Sequence, residues 1–90
     1  MPIISQFYGI IVSIYFNDEI KHNLPHVHIR YNEYKAVYDF EANILSGNLP
    51  TKQRKLIEAW LIIRKEELTT LWNLMKEEGR FFKIKPLLQE

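Results

Sequence analysis

Between Pro25 and Glu41 apolar and polar residues alternate, with one interruption at Asn32-Glu33, and this run constrains the fold more than any other stretch. His26, His28 and Arg30 share one strand face, and Val27, Ile29 and Tyr31 share the other. Beyond the interruption, Tyr34, Ala36, Tyr38 and Phe40 alternate with Lys35, Val37, Asp39 and Glu41. Two residues between two alternating runs are the signature of a tight hairpin. Asn32 tolerates positive φ but Glu33 suits a type I′ turn poorly, so a wider four-residue loop competes. Both loops pair Arg30 with Lys35 and, counting outward, His28 with Val37 and His26 with Asp39, and the two-residue loop also pairs Tyr31 with Tyr34. An odd loop would set the histidines against the apolar residues, which burial of one face disfavours.

The flanking segments extend this hairpin into a sheet. Ile10, Val12, Ile14 and Phe16 alternate with Gly9, Ile11, Ser13 and Tyr15 in a β-branched run that reads as a strand. Ile3 to Phe7 is short, apolar and extended, and Tyr8-Gly9 is a turn or bulge after it. A polar loop runs from Asn17 to about Leu24. Ile44-Leu45-Ser46-Gly47 is a turn that can hold a short fourth strand.

Leu49-Pro50-Thr51 opens a helical region, with Asn48 or Thr51 as candidate caps. Leu56, Ile57, Trp60, Leu61, Leu68, Leu71, Trp72 and Met75 recur at helical steps, and Gly79 is placed to end the pattern. A single helix over 51–78 would be about 42 Å long, against a domain diameter of roughly 30 Å. The charged run Arg64-Lys65-Glu66-Glu67 marks the preferred break. The expected fold is α+β: a small antiparallel sheet of three to four strands, then one bent helix or two packed on one face. The whole of 1–90 reads as a single domain, β-rich over 1–49 and helical over 50–79, with an extended apolar tail over 80–90 that should pack back on it or add an edge strand.

Composition narrows the chemistry. The absence of cysteine removes disulfides, thiolate metal sites and cysteine nucleophiles. No basic region precedes the apolar start, as a signal peptide would need, and no apolar run approaches the ~20 residues that span a bilayer. A cytoplasmic protein without membrane association is expected. The net charge of +1 leaves only local clusters to argue for nucleic acid. No P-loop, dinucleotide-binding glycine pattern, zinc motif or serine nucleophile elbow is present.

Two constellations can carry chemistry. Imidazoles at His26 and His28 beside the Asp39 carboxylate suit general acid–base work, with Asp39 orienting His26. A metal at His22, His26 and His28, completed by Asp39 or Glu41, is a weaker reading, and no cofactor or metal is expected. Arg30 and Lys35, with Ser13 and Tyr15 alongside, suit a phosphate, and Tyr15 can stack on a base. Each constellation also has a bland reading, in which the histidines and cations merely line a solvated sheet face. Lys52, Arg54 and Lys55 oppose the helix dipole in the first turn, although charged helix starts are common. Trp60 and Trp72 lie on the apolar stripe and belong to the core.

The chain resembles a family of small bacterial proteins catalogued as a domain of unknown function, number 4160. The resemblance rests on the Met1-Pro2-Ile3-Ile4-Ser5-Gln6-Phe7-Tyr8-Gly9-Ile10 start, Tyr15-Phe16-Asn17-Asp18 and, most specifically, Pro25-His26-Val27-His28-Ile29-Arg30-Tyr31. It continues through Glu33-Tyr34-Lys35-Ala36, Gly47-Asn48-Leu49-Pro50, Trp60, Arg64-Lys65-Glu66-Glu67-Leu68 and Trp72. The chain departs from the family in having Lys21 before His22, Leu24 for a proline, and Asn32-Glu33 for Gly-Glu. The resemblance implies a partner, a small protein resembling the domain-of-unknown-function family number 2442 and encoded beside it. That arrangement is similar to a toxin–antitoxin pair with this chain as the toxin-like member. The expectation is an RNA-directed protein, a metal-independent ribonuclease in its catalytic form. The alternative is a non-catalytic module that binds a small partner protein.

Overall fold

Two-residue turns rich in positive φ set the architecture. The computed structural model describes residues 2–16 and 24–87. Five strands, β1 (Ile3–Phe7), β2 (Ile10–Ser13), β3 (His26–Tyr31), β4 (Tyr34–Asp39) and β5 (Ile44–Gly47), form an antiparallel meander in chain order. Helices α1 (Thr51–Ile63) and α2 (Lys65–Glu78) follow.

The expected three to four strands are therefore five. The extra one comes from Tyr8-Gly9, whose φ values of 51° and 77° make a tight I′-like turn and fold Ile3–Phe7 back as a full strand. The β3–β4 hairpin has the register that the alternation dictates, from Tyr31 opposite Tyr34 to His26 opposite Asp39. Asn32 has a φ of 52°, which an asparagine tolerates, and Glu33 is not among the positive-φ residues. Glu33 thus fits a two-residue loop without strain.

One face of the sheet presents Ile10, Val12, Val27, Ile29, Ala36 and Tyr38, all buried together with Ile57, Trp60, Leu61, Leu68 and Leu71 from the helices. The helical region breaks at Arg64, as the charged run indicates, with backbone angles of −100° and 14°. Its N–H still reaches the Trp60 carbonyl at 2.8 Å, and its own carbonyl accepts from Leu68 at 2.9 Å. The change in direction fits both helices within extents of 34 × 28 × 21 Å. Glu66 and Glu67 lie in the first turn of α2, where negative charge is favoured, and Gly79 ends it at a φ of 71°. Neither Asn48 nor Thr51 caps α1. The N-cap is Pro50, which has no side-chain donor or acceptor for the role.

The tail returns to the domain without becoming a strand. The Ile84 N–H donates to the Ile4 carbonyl at 2.8 Å, and the Trp60 indole N–H to the Lys85 carbonyl at 2.8 Å. Ile4 sits at a bulge between Ile3 and Ser5, which accounts for its outward carbonyl. Among the described residues no helix is long and apolar enough to cross a membrane.

Candidate functional site

The second face of the sheet carries the polar alternates. Strand pairing arranges them in two rows. One row is Ile11, Arg30 and Lys35, and the next is Ile3, Ser13, His28, Val37 and Ser46. Both rows line a concavity of about 400 Å³ that also takes in Tyr15. Ser13, Tyr15, Arg30 and Lys35, the residues expected to hold a phosphate and a base, thus come together with His28 in one groove.

Arg30 and Lys35 are exposed cross-strand partners. Like charges directly opposed cost a few tenths of a kcal/mol up to about 1 kcal/mol. The ion pairs among the described residues are Arg54–Glu58, Arg64–Glu67, Lys65–Glu41 and Arg80–Glu78, and none neutralises either cation. The groove therefore holds one guanidinium and one ammonium group whose charge the described residues leave unbalanced.

His28 is fixed against Tyr15. Their rings stack at a centroid distance of 3.9 Å and an angle of 15°, and the Tyr15 hydroxyl lies 3.0 Å from His28 Nδ1. His26, 3% exposed, lies outside the groove. Its ring packs 5.3 Å from Trp72 of α2 and 5.2 Å from His28. Its Nδ1 lies 2.6 Å from the Leu24 carbonyl, and since a carbonyl only accepts, Nδ1 carries the proton. In the neutral ring Nε2 is then the basic nitrogen.

Asp39 stands opposite His26 in the register, but its carboxylate serves the following turn. One oxygen accepts from the backbone N–H groups of Glu41 and Asn43 at 2.9 Å each, and the other from the Asn43 side chain at 3.2 Å. Glu41 pairs with Lys65. Among the described residues no three His, Asp or Glu side chains are grouped to hold a metal, and His22 lies outside the described residues. The three cations at the start of α1 remain exposed, and Arg54 faces Glu58 at 3.8 Å.

Ile3, Ile11, Val37 and Ser46 are groove residues that the sequence reading missed. Val37 was accessible from the hairpin register, which sets it beside His28. The placement of Ile11 beside Arg30 follows from the β2–β3 pairing. The connection between those strands is long, so no turn geometry fixes that register in advance.

No curated protein and no solved structure matches the chain. A family model described as "Domain of unknown function (DUF4160)" matches residues 9–73, which span β2 to most of α2 and include every groove residue except Ile3. The chain belongs to that family.

Proposed function

We propose that the open face of the sheet binds RNA through its phosphates, and that the chain is the toxin-like, RNA-directed member of a two-protein module. One observation carries the binding: two opposed cations, unneutralised by the described residues, line a concavity together with a histidine, a tyrosine and a serine hydroxyl. An anion between Arg30 and Lys35 relieves their repulsion and gains charge-assisted hydrogen bonds. The two-protein context is supported by the family resemblance alone.

In the catalytic form of this reading, His28 is the proton-transfer group nearest the clamp, two residues and about 7 Å along the strand from Arg30. His26 backs it from within the domain, and Asp39 holds the turn that ends β4. No metal takes part. Binding of a labelled oligoribonucleotide across a salt series tests the clamp. The Arg30→Ala/Lys35→Ala double variant should bind at least ten-fold more weakly, with a salt slope lower by about 2. Unchanged affinity and slope would remove the basis for the proposal.

A second reading, a non-catalytic module for a small protein partner, is favoured by the β5 edge. All four residues of that strand are exposed, including Ile44 and Leu45, and so are Phe81 and Phe82 of the tail. Added strands commonly dock on such edges. Loss of partner capture in Leu45→Asp or Phe81→Asp, with capture retained in His28→Ala, would favour this reading over the first.

A further inference from the structure

The groove is not uniformly polar, and its apolar part bears on which form of RNA it takes. Ile11 lies beside Arg30, and Val37 lies two residues from Lys35 and opposite His28, so each cation has an aliphatic neighbour on the same face. Ile3 continues this apolar floor on the far side of Ser13. The rows are about 7 Å apart, the rise of two strand residues. Arg30 and His28 of β3 stand between Ile11 on β2 and Val37 on β4, so the floor is two aliphatic patches, and the His28–Tyr15 stack borders the one at Val37.

A duplex would satisfy only the first of these features. A-form RNA offers phosphates and 2′-hydroxyls on its outside and keeps its bases stacked within, so it has nothing to lay against Ile11 and Val37. A single strand can splay a base onto such a floor while its backbone follows the cations. Building on the RNA reading above, we infer that the groove is a single-strand site one nucleotide deep. A phosphate sits between Arg30 and Lys35, one unpaired base lies on Val37 beside the His28–Tyr15 pair, and the neighbouring base lies on Ile11 on the other side of β3.

Fluorescence anisotropy on the full chain tests this with a labelled oligoribonucleotide of about eight nucleotides, alone and annealed to its complement. The single strand should bind at least ten-fold more tightly than the duplex. Ile11→Thr and Val37→Thr, which keep a β-branched shape on the strand, should weaken single-strand binding several-fold and leave duplex binding unchanged. Equal or tighter binding of the duplex to the unaltered chain overturns the single-strand inference and leaves the phosphate reading standing. Failure of both probes to bind overturns the two together. The comparison of probes uses the unaltered chain, so a folding defect in either variant does not decide it.

Discussion

Tyr38 is the residue where the core meets a charge. Its ring is fully buried on the helix-facing side of the sheet, while its hydroxyl donates to Glu58 Oε2 of α1 at 2.9 Å. Burial first, then the hydrogen bond and charge of Glu58, push its pKa up to about 12, and Arg54 offsets part of that rise. The unfolded chain gives up this proton near pH 10, so the contribution is complete below pH 10 and is lost between there and about pH 12. Urea denaturation of Tyr38→Phe should show a loss of about 1 kcal/mol at neutral pH. The difference from the parent should shrink as pH rises above ten, and a constant difference to pH 11.5 (roughly the upper end of the window) would refute the coupling. None of this was legible in the sequence, because it depends on how α1 crosses β4. His26 opposite Asp39 was legible, and still the carboxylate went elsewhere. Asn43, four residues on, offers it three local donors together with Glu41, and Asp side chains readily choose such turns.

At the scale of elements, the hairpin and the helix break were legible because each follows from a strong local pattern. The loop Asn32-Glu33 is short enough to fix pairing, and four charges in a row cannot sit on a buried helix face. β5 was only half visible. It pairs with β4 because Gly47, at a φ of 77°, allows a very close approach: a Cβ there would lie 2.1 Å from the Lys35 carbonyl oxygen and 2.9 Å from the Ala36 Cα. Gly79 has a similar φ of 71° but open space around it. Alanine at both positions separates backbone strain from steric overlap. Gly79→Ala should cost about 1 kcal/mol, the left-handed penalty alone. Gly47→Ala should exceed about 3 kcal/mol, since β5 must move off β4 or the hairpin must distort. Equal losses in the two variants would mean that β5 contributes little to the folded state.

For the molecule as a whole, the sheet's two edges are treated differently, and the difference decides which can slip. β5 is exposed along its length, whereas β1 is met by a tail that contributes, among the described residues, one buried side chain, Ile84, and two backbone-directed hydrogen bonds. These contacts are few, each worth about 1–2 kcal/mol, so one substitution should release the tail without unfolding the sheet. Ile84→Asp would bury an unpaired charge, so the chain should detach the segment instead and cap the loss near the small free energy of docking. Limited trypsin digestion under native conditions should then cut after Arg80 and Lys83 many times faster than in the parent. The urea midpoint should fall only modestly, because the core beneath Trp60 remains packed against Phe7 at 5.5 Å. An unchanged cleavage rate would mean that the tail is held by more than Ile84, and a collapse of the midpoint would mean that it belongs to the cooperative core.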